Sequence, residues 1–297
     1  MLRTILQPAI AFARKDFFEV LRSPRLITLS IVLGVLLVGS SAALAVVMVN
    51  AAKPPNPGAP NPFEVWFQDS SGVLTGIAFG LTPVFLPFLP ILAATQVLRK
   101  DRERGIFQLF LSKPIPPWGP ALGKLAGLYG ALAVPTVAIS LGVAAAIGVV
   151  AGSPVDGGLL AAYVAGNIVL VGLYLLITLL VGSLLQAQIA EPLVVLVWIG
   201  FNLLRGTGYL VTARLAALLG ADSATTFQVG WTDLATFTGL YQAFLALSVP
   251  PSLGFVVSPV PGGGLDFAAY AVPWGLFAWF IGLYVVYALS LVRKPSR

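Results

Sequence analysis

The run GPALGKL, Gly119 to Leu125, is the part of this sequence that comes closest to a phosphate-binding loop. A loop that cradles the phosphates of ATP needs G-x-x-x-x-G-K-[ST] directly after a strand, because backbone N–H groups hold the phosphates and the hydroxyl holds Mg²⁺. Here the spacing between the glycines is one residue short, Leu125 stands where the hydroxyl belongs, and no strand pattern precedes the run. The sequence therefore predicts that this chain holds no nucleotide cofactor and does not hydrolyse ATP itself.

Other familiar catalytic groups are missing from the sequence. With no Cys, no His and two Met, the chain cannot use thiol chemistry, disulfides, histidine-ligated haem, Ser-His catalysis or a soft metal site. An enzyme acting on lipids would need clustered acids or nucleophiles near one membrane face, and only Glu191 lies near such an end. We therefore predict that the protein is not an enzyme.

The elements that carry these residues are those of a membrane protein. Apolar residues make up 58% of the chain, charged residues only 9%, and the mean hydropathy is +0.94, whereas soluble domains carry about 25% charged residues. Stretches long enough to cross about 30 Å of hydrocarbon as helices occur at 26–49, 72–98, 125–151, 159–185, 192–210 and 267–292. We predict an all-α polytopic protein with six transmembrane helices and a single membrane domain, 1–297.

The placement of the charges predicts the orientation of the spans. With six spans, 14 of the 17 Lys and Arg residues fall on one side, and only Lys53, Arg205 and Arg214 fall on the other. Because basic residues accumulate in cytoplasmic loops, the first side is predicted to be cytoplasmic, with both termini there. The basic charge is thus a signal of topology, and no nucleic-acid partner is needed to explain it.

Two segments outside the regular spans have predicted roles. Residues 1–25 combine apolar and charged positions as in an amphipathic helix that lies in the headgroup plane. Segment 211–266 forms an external insertion before the last span, in which 234–249 is predicted to enter the membrane and leave by the same face. Pro250 and Pro251 suit such a break.

Few polar groups lie where a substrate could pass. Arg205 follows the run WIGFNLL and lies near the outer end of the fifth span, with Asn202 one turn before it. These two side chains are candidates to meet a substrate with an anionic head group, since ionisable residues at membrane depth are often functional. Arg205 could instead extend to the outer interface as a purely structural residue. Asn167 is predicted to form an interhelical hydrogen bond.

The polar segment 99–124 joins the second and third spans and is longer than a turn requires. Its first half, RKDRERGIFQLFL, mixes charge with large apolar side chains, which is typical of a surface that binds a partner. Pro114, Pro116 and Pro117 then interrupt the helix. A basic anchor that only fixes the topology would explain the charges but not the prolines that interrupt the helix.

The segment also carries a motif. The sequence R-E-R-G at Arg102 to Gly105, then L-S-x-P-I at Leu111 to Ile115, then Gly123 and Lys124 resembles the signature E-R-x-G-T-L-x-x-L-L-S-x-P-[IV]-x-R…G-K. That signature belongs to the membrane subunits of type-2 ABC exporters, the ABC-2 permeases. Ile106 replaces the usual Thr, and Pro117 replaces a frequent Arg. Among the branches of this family, the chain most resembles the one that includes the copper-processing exporters of nitrous-oxide reductase maturation.

The resemblance implies a function and partners. Such a permease works in a prokaryotic cell membrane as a dimer, here a homodimer surrounded by lipid, with separate ATPase subunits that bind ATP and Mg²⁺. The 99–124 loop would be the cytoplasmic coupling element that meets the ATPase. Its implied contact residues are Arg102, Glu103, Arg104, Gly105, Phe107, Phe110, Ser112, Pro114 and Lys124.

Two other functions remain open from the residues alone. A secondary transporter would show paired acidic residues within spans and an inverted repeat, and we find neither in the sequence. A membrane anchor that transports nothing but holds a soluble partner would use the same polar loop. Measured substrate turnover separates an anchor from an exporter.

Overall fold

A computed structural model describes residues 2–53, 67, 69–105, 118–185, 189–203, 226–228, 236–249, 256–258 and 265–291. Its helices, in chain order, are α1 Leu2–Leu21, α2 Pro24–Ala52, α3 Ser70–Gly80, α4 Thr82–Phe85, α5 Phe88–Glu103, α6 Trp118–Ala151, α7 Gly157–Leu184, α8 Ile189–Leu203, α9 Phe237–Ala246 and α10 Leu265–Ser290. Strands β1 Thr226–Gln228 and β2 Val256–Ser258 pair in parallel.

The predicted all-α membrane class is confirmed. Within the described ranges, five helical stretches are long and apolar enough to cross a membrane: α2, α3 to α5 taken together, α6, α7 and the 271–290 part of α10. The apolar helix α8 is shorter. The helix α7 lies at the centre, packing against α5, α6, α9 and α10, whereas α2 exposes many apolar side chains along its length. An exposed apolar face is what a helix in contact with lipid requires.

Several helix ends follow from local sequence. Ser23 caps α2 by accepting a hydrogen bond from the Leu26 N–H at 3.1 Å, and Pro24 follows at the first helical position. Asp156 caps α7 by accepting from the Leu159 N–H at 2.9 Å. Gly152 ends α6 with a φ of 72°, a left-handed conformation that favours glycine. A turn at 152–156 is therefore enough to connect two antiparallel spans.

Prolines divide the second span into α3, α4 and α5. Pro83 and Pro87 lack the N–H groups that would pair with the carbonyls of Phe79 and Pro83, four residues earlier. Side chains from other helices replace both donors. Gln242 of α9 donates to the Phe79 oxygen at 2.6 Å, and Trp198 of α8 donates to the Pro83 oxygen at 3.1 Å. A broken helix persists at membrane depth because neighbouring helices satisfy the freed carbonyls.

The region between α8 and α10 is the part of the fold that was hardest to predict. The helix α9 has ten residues, which span about 15 Å, half the thickness of the hydrocarbon layer. Most of its residues are buried. This length and burial are compatible with the predicted re-entrant segment at 234–249, which stays a prediction. The three-residue strands were not predicted.

Replacing Gln242 with methionine is expected to lower the free energy of unfolding by about 1 kcal/mol, because it removes the hydrogen bond that Gln242 donates to the Phe79 carbonyl. A Pro83→Ala substitution supplies a backbone N–H at the position that can pair with this carbonyl. Gln242→Met should therefore cost less in the Pro83→Ala background. Unfolding of the four proteins in mixed detergent micelles measures this cycle, and equal costs in both backgrounds would contradict the pairing.

Candidate functional site at the base of the polar segment

The two ends of the polar segment are helical in the structure. The helix α5 continues to Glu103, Gly105 follows with a φ of 67°, and α6 already begins at Trp118. The structure thus differs from the predicted loop 99–124 at both ends, since residues 99–103 belong to α5 and residues 118–124 to α6. Pro120 does not prevent α6 from starting early, because it falls in the first turn, where proline is tolerated. Four predicted contact residues lie outside the described residues: Phe107, Phe110, Ser112 and Pro114.

A cluster of charges holds these two ends together, and we call it the charged base. It comprises Lys15, Asp16, Glu19, Asp101, Arg104 and Lys124. At its centre the Lys124 ammonium donates to an Asp101 carboxylate oxygen, and an Asp16 oxygen lies 4.0 Å from the same nitrogen. These three side chains are buried. They come from α1, α5 and α6, so the charged base links three helices.

The close approach of α1 to α6 places Asp16 beside Lys124. A Cβ added at Gly127 would lie 2.5 Å from the Ala13 carbonyl oxygen, and one at Gly123 would overlap the backbone of Ala9. The contacts advance in the same direction along both helices, so α1 and α6 run parallel here. Small residues spaced by three others allow this contact between helices in membranes. Because Lys124 follows Gly123, the same contact brings the charges together.

The outer part of the charged base is more exposed. The Lys15 ammonium lies 3.4 Å from Asp16 and 3.7 Å from Asp101. Arg104 donates to Glu19 at 3.0 Å, which ties the residue beyond α5 to α1. Each carboxylate of the cluster therefore has a basic group within 4.0 Å. The cluster is balanced in charge, as a buried ionic group must be.

The predicted contact residue Arg102 lies against another helix. Its guanidinium donates to the carbonyl oxygen of Gly182 at 2.6 Å, near the C-terminus of α7. A cation is favourable at this end of a helix because the last carbonyls carry partial negative charge. Glu103, by contrast, points into solvent with its side chain 62% exposed and pairs with Arg99 at 3.0 Å. Of these two residues, Glu103 is the one available to a partner.

The arrangement joins three helices through one buried cation and does not resemble a phosphate-binding loop. Lys124, the lysine of the GPALGK run, is engaged by carboxylates within a helix, so it does not serve a phosphate loop. Removing one member of a buried ion pair costs much more than the pair contributes over an apolar replacement. Separating α1, α5 and α6 would break these buried ion pairs, so the charged base opposes their separation.

A second polar layer lies among the spans. The Asn167 amide donates to Ser140 at 2.8 Å and accepts from the Tyr241 hydroxyl at 2.8 Å, which confirms its predicted interhelical hydrogen bonding. The hydroxyls of Thr82 and Tyr163 are 3.0 Å apart. These residues are far apart in sequence, and no sequence pattern connects them with one another. The signal available was the presence of isolated polar side chains within apolar spans.

The two substrate-path candidates are not brought together by the described structure. Asn202 donates its amide hydrogen to the Trp198 carbonyl at 2.8 Å, one turn earlier in its own helix. Arg205 lies outside the described residues. The assignment of this pair to a substrate path stays a prediction.

Comparison with known protein families gives a match over most of the chain. The family model described as ABC-2 family transporter protein matches residues 10–253. No curated protein matches the chain. The matched range includes the charged base, the whole polar segment and the helices α2 to α9. The match does not distinguish branches of the family, so the copper-processing branch stays a prediction.

Proposed function

Since the chain belongs to the family of ABC-2 transporter proteins, and is thus a multi-pass membrane component of an ABC transporter, we propose that it is the permease of an exporter. In this proposal, a separate ATPase subunit binds ATP and Mg²⁺ and docks on segment 99–124. Two copies of the permease form the transport path as a homodimer. Both termini face the cytoplasm of a prokaryotic cell, because the side rich in Lys and Arg is the cytoplasmic one.

The charged base is the observation that carries the proposal. Asp101 lies near the start of the polar segment and Lys124 at its end, and they share one buried ion pair. A displacement of the segment therefore moves α5 and α6 together, with α1 following through Asp16. The additional contact of Arg102 with α7 extends this linkage to the central helix.

This linkage supplies a mechanism for coupling. When the ATPase subunits close on ATP, they displace the segment, and the joined helices rotate or shift as a body to open the path toward the other side. Such gating transfers free energy only if the segment binds the open and closed ATPase states with different affinities. The proposed docking surface consists of the exposed Glu103 with Phe107 and Phe110, which fill an apolar groove of the ATPase.

The substrate side of the proposal rests on fewer residues. Asn202 and Arg205 are proposed to line the outer half of the path, where a cationic group would favour a substrate with an anionic head group. Many exposed side chains on the described spans are apolar, so a lipid-like or otherwise hydrophobic substrate is compatible with the proposed path.

The proposal is tested by replacing each member of an exposed ion pair with alanine in a separate variant. Glu103→Ala is expected to weaken association with the co-purifying ATPase and to uncouple ATP hydrolysis from transport, because it removes the docking carboxylate. Arg99→Ala breaks the same pair with Glu103 but leaves that carboxylate in place, so it should leave association nearly unchanged. ATPase activity and transport are measured on both complexes in lipid vesicles.

The controls separate the alternatives. Equal behaviour of Glu103→Ala and Arg99→Ala would remove Glu103 from the docking surface. If no ATPase co-purifies and the chain transports a substrate alone, the chain acts as a secondary transporter. If an ATPase binds but no substrate moves, the chain is an anchor.

A further inference from the structure

A cleft opens between the end of α1, the start of α2 and the last turns of α5. The cleft is open to solvent, and the space within and in front of it amounts to about 400 Å³. Aliphatic side chains form its walls, among them Leu26 and Leu29 of α2 and Val97 of α5, whereas Ser23, Arg25 and Lys100 stand among its lining residues. Because α2 begins here and the second span ends here, a membrane crossed by these helices would have its boundary between hydrocarbon and headgroups at the cleft.

The charge of this cleft is positive. Arg25 and Lys100 are exposed, and within the described residues neither forms an ion pair. The acidic lining residue, Glu19, is already bound by Arg104 at 3.0 Å and lies 3.9 Å from Lys15. Its charge is thus compensated from outside the cleft. The N-terminus of α2, with its own partial positive charge, adds to the same sign.

We propose that this cleft binds the headgroup of an anionic phospholipid. The phosphate meets Arg25 and Lys100, the Ser23 and Gln96 side chains offer further polar contacts, and the glycerol and upper acyl chain rest against Leu29 and Val97. Exposed apolar side chains at Ile27, Ile31 and Val35 continue along α2 beyond this end. A bound lipid would then join α1 to the first two spans beside the charged base.

This site goes beyond the proposed export function and is tested on the purified chain without any ATPase. Native mass spectrometry in detergent measures binding of dioleoylphosphatidylglycerol, with dioleoylphosphatidylcholine as the zwitterionic control. Combined Arg25→Gln and Lys100→Gln substitutions are expected to weaken phosphatidylglycerol binding about tenfold. The matched control combines Arg22→Gln and Arg99→Gln, which remove two neighbouring cations that do not line the cleft, and should change affinity less than about twofold.

A second variant tests the cleft itself. Leu29→Trp keeps both cations but places a larger side chain in the cleft where the acyl chain is proposed to lie. This variant should therefore also lower phosphatidylglycerol binding. Retained binding by this variant, equal loss in the two double variants, or equal binding of both lipids would overturn the proposal. Inorganic phosphate at millimolar concentration separates the two sources of the phosphate group. Failure to displace phosphatidylglycerol supports the lipid, whereas displacement identifies a site for free phosphate and overturns the lipid assignment.

Discussion

Replacing Lys124 with methionine is expected to lower the free energy of unfolding by about 3–5 kcal/mol. Methionine fills a similar volume but leaves the buried carboxylates of Asp101 and Asp16 without their central cation. Lys15 lies near both but is itself partly exposed. Unfolding of the purified variant in mixed detergent micelles measures the loss.

Two further proteins make this prediction specific. Combining Lys124→Met with Asp101→Asn removes both partners of the central pair, so part of the lost stability should return. Arg99→Ala breaks an ion pair whose side chains are 68% and 62% exposed, and it should cost less than about 1 kcal/mol. If Lys124→Met costs no more than Arg99→Ala, the charged base does not hold α5 to α6.

Replacing Gly127 with valine is expected to separate α1 from α6. A side chain at this position meets the Ala13 carbonyl at 2.5 Å, and the backbone of α1 cannot yield as a flexible side chain would. Overpacking of this kind costs about 1–3 kcal/mol, and we expect the upper end because Asp16 is also drawn away from Lys124. Transport by the proposed complex should also fall, because α1 would no longer move together with α5 and α6.

The displacement can be measured directly because the chain has no cysteine. Spin labels on single cysteines introduced at Arg14 of α1 and Leu122 of α6, both exposed, report the distance between the helices. Gly127→Val should lengthen and broaden this distance distribution. Gly39→Val serves as the matched control, because a Cβ at Gly39 has no atom within 4 Å. An unchanged distance in the Gly127 variant would show that α1 tolerates the side chain.

The larger features of the fold were accessible from local sequence. That the chain is helical and crosses a membrane several times follows from the thickness of the hydrocarbon layer and the hydropathy of its long apolar stretches. The motif at Arg102 to Gly105, with Gly123 and Lys124, pointed to the family that the match over residues 10–253 then showed. These features depend on residues that are neighbours in sequence, so they need no knowledge of packing.

The functional details depended on packing and could not be read in the same way. A helix surrounded by lipid can be apolar on every side, so its sequence does not reveal which face meets another helix. The sequence marked Lys124 as a contact for a partner, whereas the structure buries it against Asp101 and Asp16. It gave no reason to pair Arg102 with the end of α7.

The sequence by itself therefore determined the helical membrane class and, through the motif in the polar segment, pointed to the family. Tertiary structure alone decided which charges are buried and which are available. The pairing of Gln242 with the carbonyl that Pro83 leaves free joins residues 163 positions apart. Proline dictates locally that a donor is missing, but only the packing of α9 against the second span determines which side chain supplies it.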